Sequence, residues 1–146
     1  MVKQAFADET LTQKKMLTSA NSINVARWLP QQFYYFFAYK QWSQKDKPPV
    51  FSVPSGNFGN ICAGLLAHIS GLPAAHFIAA CNVNDVVPRY LHSGNYEVKK
   101  ALPTLSNAMD VGDPSNFVRV LQLFDNNFIN LKKMLSGYTV TDAETK

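Results

Sequence analysis

Apolar positions recur along this chain with two different periods. From Ile23 to Trp42 they fall at Ile23, Ala26, Leu29, Phe33, Phe36 and Phe37. That spacing predicts a helix with a wide buried face, with Pro30 in its first turn or at a kink. Val50 to Val53 is short and apolar between Pro49 and Pro54, which predicts a buried strand. The stripe Phe58, Cys62, Leu65, Leu66 and Ile69 predicts the next helix, ended by Gly71-Leu72-Pro73. Ala75 to Ala80 predicts a second buried strand. Asp85 to Leu91 reads as a short helix, with His92-Ser93-Gly94-Asn95 as its turn. Lys99 to Ser115 is irregular, with Pro103, Gly112 and Pro114. Phe117, Val120, Leu121, Phe124, Phe128, Leu131 and Leu135 predict one long amphipathic helix closed by Gly137. Residues 139–146 then read as a loose tail. Residues 1–17 read as a short polar helix and its exit, and the small polar residues from Ser19 to Asn24 can cap the helix that begins after them.

Strand, helix, strand, helix is the pattern of an α/β fold: a three-layer arrangement of a parallel β-sheet flanked by helices. A chain of 146 residues fits one domain, 1–146. Ligands in such folds bind outside the carboxyl ends of the strands. Residues 54–60 and Asn82 to Asp85 both follow strands, so they are expected to open on one edge and form one site.

Composition narrows the function. With 47% apolar residues the chain is not disordered. The net charge of +4 is modest and its lysines are scattered, with no basic block among aromatics, which argues against nucleic acid. No apolar stretch approaches the roughly 20 residues of a membrane span. The polar N-terminus is not a signal peptide, so a cytoplasmic protein is expected. Cys62 and Cys81 read as buried free thiols, and His68, His76 and His92 match no zinc spacing, so no metal is expected.

The run Val53-Pro54-Ser55-Gly56-Asn57-Phe58-Gly59-Asn60 carries the chemistry. A small glycine-containing loop from a strand into a helix holds a phosphate. The free N–H groups of the first helical turn and the positive end of the helix dipole face the anion. Gly56 and Gly59 let the backbone come close. The loop has no lysine and lacks both the nucleotide P-loop spacing and the dinucleotide fingerprint. A tight structural turn is the competing reading.

Ser55-Gly56-Asn57-Phe58-Gly59-Asn60 resembles the cofactor-phosphate loop of the threonine synthase family, which uses pyridoxal phosphate. Three further stretches are similar to that family and stand in its order. They are Asn21-Ser22-Ile23-Asn24-Val25-Ala26-Arg27, then Ala79 to Asp85 with Val87-Pro88-Arg89-Tyr90, then Leu105 to Asp110 with Pro114-Ser115-Asn116. The resemblance implies a fold type II pyridoxal-phosphate enzyme. That enzyme converts O-phospho-L-homoserine and water to L-threonine and phosphate, the last step of threonine biosynthesis. It implies that the Ser55 hydroxyl and the N–H groups of Gly56, Asn57, Phe58, Gly59 and Asn60 hold the cofactor phosphate. Asn21, Ser22, Asn24, Asn82, Asn84 and Asp85 are the candidate substrate-binding residues. Helix capping for the first three, and an Asx-turn with an N-cap for the others, are the structural alternatives. Arg27 and Arg89 are open between anion contacts and surface ion pairs.

The family's Schiff-base lysine lies upstream of the Asn-Ser-Ile-Asn stretch, and no lysine here stands in that context. The chain is therefore expected to be an internal fragment of a longer enzyme, with the rest of the parent as its partner and no activity alone. Two other functions remain open: another enzyme of the same fold, such as a dehydratase or a cysteine synthase, and a non-catalytic phosphate-ligand module. The aromatic run Phe33, Tyr34, Tyr35, Phe36, Phe37 and Tyr39 reads as an interface or as surface bared by the absent part of the parent.

Overall fold

The computed structural model describes residues 2–18 and 20–145. Ser19, at the start of the polar segment read as a cap, and Lys146 lie outside the described residues. Two short helices, α1 (Val2–Ala7) and α2 (Glu9–Lys14), open the chain. Asp8 caps α2, accepting from the backbone of Thr10 and Leu11. A single 3-10 turn (Val25–Arg27) then leads into α3 (Trp28–Gln41), with Pro30 in its first turn as expected.

Three strands form one parallel sheet in the order β1 (Val50–Pro54), β2 (His76–Cys81), β3 (Leu135–Thr139). Val50 stands beside His76, and Cys81 beside Thr139. The crossover between β1 and β2 is α4 (Gly59–Ile69). Between β2 and β3 come α5 (Val86–Ser93), α6 (Phe117–Leu123) and α7 (Phe128–Met134), and α8 (Asp142–Thr145) comes last. The chain is thus α/β, a parallel sheet flanked by helices. No helix among the described residues is long and apolar enough to cross a membrane.

The core sits around α4. Ile61, Cys62, Ala63, Leu65 and Ala67 are buried, as are Phe77 on β2 and Val53 on β1. Fully burying each larger side chain contributes roughly 1.5–3 kcal/mol. Tyr35 of α3 packs edge-on against Phe51 and Phe77. The opposite side of α3 is bare: Leu29, Phe33, Tyr34 and Phe37 are all more than half exposed. The aromatic run therefore splits, with Tyr35 inside and Phe33, Tyr34 and Phe37 outside. The stripe expected to be buried (Ile23, Ala26, Leu29, Phe33, Phe37) is instead exposed, Trp28 and Tyr35 being the buried residues of α3.

The end of the chain departs from expectation. The long helix predicted over 117–135 is broken, because Asp125 and Asn126 adopt left-handed backbone with φ of 52° and 56°. Asp and Asn tolerate that conformation, and Asn127 then caps α7 by accepting from Asn130 N–H at 3.0 Å. Leu135 to Thr139 is a strand rather than a helix end and the start of a loose tail. Gly137 does not stop a helix; a Cβ there would lie 2.6 Å from Pro88 Cα, so glycine lets α5 lie on β3.

Candidate functional site

β1 carries the chain to the carboxyl edge of the sheet. Ser55 extends the ladder by one residue, its N–H donating to Ala80 O at 2.8 Å. Its hydroxyl donates back to Val53 O at 2.8 Å, so the Ser55 proton is committed inside the protein. The chain then turns through Gly56 and Asn57 to Phe58, which holds left-handed backbone at φ 63°, ψ 11°. A bulky residue there is strained, and such strain gathers at functional sites. Phe58 is kept in place by burial and by an edge-on contact with Phe117, ring centroids 5.5 Å apart. α4 starts at Gly59, and Phe58 O accepts its first bond, from Cys62 N–H.

This turn leaves a row of donors. The backbone N–H groups of Gly56, Asn57, Phe58, Gly59 and Asn60 make no hydrogen bond with other described residues. They stand at the head of an 11-residue helix with no side-chain cap and no acidic residue in its first turn. Such a helix head favours an anion through both its dipole and its unpaired N–H groups. Among the described residues no group of three or more His, Cys, Asp or Glu could hold a metal ion.

Segments distant in sequence frame the turn. Asn57 Nδ2 donates to Ser22 Oγ at 2.9 Å, and Asn57 Oδ1 accepts from Ser115 N–H at 2.8 Å and Ser115 Oγ at 2.9 Å. Asn116 is fully buried beneath it. Its Nδ2 donates to Ser22 O at 3.0 Å, its Oδ1 accepts from Arg119 Nη1, and its carbonyl accepts from the Cys62 thiol. Met109 closes the other side: a Cβ on Gly56 would lie 2.8 Å from Met109 Cα. Gly56 is thus needed because a second backbone crosses it.

A polar hub fixes that crossing backbone. Asn82 Nδ2 donates to Asp110 Oδ1 and Thr104 Oγ1, both at 2.8 Å, and to Ser106 Oγ at 3.2 Å. Asn84 Nδ2 donates to Asp110 Oδ1 at 3.1 Å and Leu102 O at 2.9 Å, while Asn84 Oδ1 accepts from Leu102 N–H at 2.7 Å. Thr104 gives Asp110 both its hydroxyl, at 2.7 Å, and its N–H, at 3.0 Å. The Thr104 hydroxyl, followed by its N–H and the Asn82 amide, holds the Asp110 carboxyl below its ordinary range.

The sequence-predicted residues divide accordingly. Ser22, Asn57 and Gly59 meet directly at the turn: a Cβ on Gly59 would lie 3.2 Å from Ser22 Cβ. Asn21 accepts from Ile23 N–H, and Asn24 from Ala26 N–H at the head of the 3-10 turn, as the capping alternative has it. Asn60 O and Oδ1 both accept from the Tyr35 hydroxyl. Asn82 makes the expected Asx-turn, accepting from Asn84 N–H at 2.9 Å. Asp85 makes no N-cap hydrogen bond with its side chain; it pairs with Arg89 at 2.8 Å and faces a separate open cavity with His92, Ser93 and Thr139. Arg27 donates to Ala20 O. Sequence reasoning gave no role to Thr104, Met109, Ser115 or Asn116, and no local signal marks the left-handed Phe58.

Comparison with known proteins gives a consistent picture. No protein-family model matches the chain. Threonine synthase of Escherichia coli K12 is 53% identical over 146 residues, covering 99% of this chain and 34% of that protein. The crystal structure of Escherichia coli threonine synthase superposes with a TM-score of 0.87 at 50% identity, over 97% of this chain and 33% of that one. The PLP-bound threonine synthase of Brucella melitensis superposes with a TM-score of 0.86 at 33% identity, over 99% of this chain and 36% of that one. The chain spans about a third of the length of the relatives it matches.

Proposed function

We propose that this chain, homologous along its whole length to threonine synthases, supplies the part of such an enzyme that grips the phosphate of pyridoxal phosphate. The observation that carries the reading is the row of N–H groups from Gly56 to Asn60, which make no hydrogen bond with other described residues and run through the left-handed Phe58. Residues of the three other family-like stretches stand around it: Ser22, Ala80, and Met109 with Ser115. These residues fit the cofactor's phosphate by chemistry. Backbone donors and a helix head take a dianion without a counter-charged side chain, and neutral neighbours such as Ser22 and Asn57 do not compete for it.

When bound, pyridoxal phosphate supplies the electron sink for reactions at an amino acid's carbons. This chain's residues do the holding. The N–H row fixes the phosphate end. Asn57 ties the loop to Ser22, so the segment from Asn21 to Arg27 lies along the same edge, where the substrate O-phospho-L-homoserine is to be held. Asn82 and Asn84 spend their amides on Asp110 and Leu102, and so serve by shaping the edge. Every lysine whose surroundings are described is exposed, with none buried to depress its pKa. That supports the reading that the lysine holding the cofactor covalently is supplied from outside this chain. The bare face of α3, with Leu29, Phe33 and Phe37, suits such a partner. Free, buried Cys62 and Cys81 fit a reducing cytoplasm.

Calorimetric titration of the chain with pyridoxine 5′-phosphate, beside pyridoxine, tests this. The alcohol cannot label surface lysines. Binding that requires the phosphate is the expected result, with no turnover of O-phospho-L-homoserine by the chain alone. Equal or absent binding of both compounds would overturn the cradle, and turnover would overturn the need for a partner lysine.

A further inference from the structure

We propose that Asp110 is the positioning residue of this site: its carboxylate holds the segment 102–110 across Gly56 and thereby sets the shape of the phosphate-binding turn. The consequence for ligand binding rests on the cradle reading above; the geometry stands without it. Residues 99–115 contain no regular element beyond a 3-10 turn at Asn107–Met109. Such a stretch has little backbone pairing to fix its path, so its path is set by side chains. Asp110 gathers four donors from three other residues: Asn82 Nδ2, Asn84 Nδ2, Thr104 Oγ1 and Thr104 N–H. Asn82 and Asn84 stand just past the end of β2, so the segment is pinned to the sheet itself. Asp142 adds a second tether through Leu105 N–H at 3.2 Å.

The residue before Asp110 is the one that touches the loop. Met109 Cα lies against Gly56, where even one added carbon would be 2.8 Å away. A shift of the segment toward the turn is blocked by that contact. A shift away removes the wall behind Gly56 and frees the turn to open. Acceptor-only chemistry is essential at 110, because every neighbour it meets presents a hydrogen. An amide in its place turns an NH2 toward a donor and loses at least one bond. The charge-assisted bonds that hold the segment weaken with it.

The test uses the full chain and two variants, Asp110→Asn and Thr104→Val, with Glu97→Gln as a surface-charge control. Amide ¹H–¹⁵N spectra are recorded without ligand, then each protein is titrated with pyridoxine 5′-phosphate. The expected result is displaced resonances for Gly56 to Asn60 in both variants and not in the control, with affinity lowered at least about tenfold in Asp110→Asn. If Asp110→Asn fails to fold, Thr104→Val carries the test, since it removes one donor and leaves the carboxylate paired. Loop resonances that stay with the control in every folded variant would overturn the proposal, whatever the titration shows. Displaced resonances in the variants, together with an unsubstituted chain that ignores the phosphate compound, would sustain the positioning role and overturn the cradle instead.

Discussion

Changing Gly56 to Ala separates a phosphate cradle from an ordinary turn. Gly56 has no positive φ, so the backbone itself tolerates alanine. The obstacle is space: the new methyl would lie 2.8 Å from Met109 Cα and 3.3 Å from its carbonyl, where ordinary contact begins at 3.4 Å. Met109 cannot retreat freely, because Asp110 beside it is bonded to Asn82, Asn84 and Thr104. Overpacking of this kind costs about 1–3 kcal/mol. For a chain of this size that corresponds to a melting temperature lowered by about 3–10 °C. The loop must yield as well, so binding of pyridoxine 5′-phosphate should weaken together with stability. Gly71→Ala is the matched control. Gly71 has open space around it but a φ of 105°, so alanine there destabilises by about 1 kcal/mol through the backbone alone and leaves binding unchanged. Melting followed by circular dichroism, with calorimetric titration, reads both quantities. A Gly56→Ala chain that melts and binds like the parent would refute the crossing of Met109 over the turn.

Three further outcomes are expected from the same geometry. Asn116→Ala strips partners from the Ser22 carbonyl and Arg119 in a fully buried setting, and should lower stability by about 2–3 kcal/mol in denaturant unfolding. Asp85→Ala breaks the partly exposed pair with Arg89 and a long 3.5 Å bond from the Thr139 hydroxyl, so it should cost about 1 kcal/mol and leave phosphate binding intact; weakened binding would return Asp85 to the site. Burial pushes the Cys62 and Cys81 thiols from the ordinary 9.0 up to about 12, so the unfolded chain releases these protons first. Their contribution is whole below pH 9.0 and is lost as pH rises toward about 12. Melting temperature should therefore fall across that window, and fall less steeply when both cysteines are alanine; equal slopes would contradict the burial argument.

Much of this was written locally. Periodicity placed α3, α4, β1 and β2 as elements, because such patterns need no knowledge of neighbours. It did not place their burial: α3 turns Trp28 and Tyr35 inward rather than Leu29, Phe33 and Phe37, and only Val53 of β1 is buried. The loop from Ser55 to Asn60 was legible because its glycines stand between a strand and a helix. Its likeness to a family added the cofactor. The third strand was not legible: Leu135 continues a helical stripe, and only its pairing with Phe77 on β2 makes it a strand. Nor was the break at Asp125 and Asn126, where polar residues adopt left-handed backbone inside an amphipathic pattern.

The sequence by itself determined the residue types the site needs: small residues where backbones crowd, amides and hydroxyls where loops are tied. Tertiary structure decided what each one meets. Phe58 turns left-handed because Phe117 and the core hold its ring. Ser55 points its hydroxyl at its own strand. Asn82 and Asn84 become braces because folding brings Asp110 to them across an irregular segment. Local propensity extends over a few residues, whereas the roles of Phe58, Asn82 and Asn84 are set by contacts between residues from 26 to 59 positions apart.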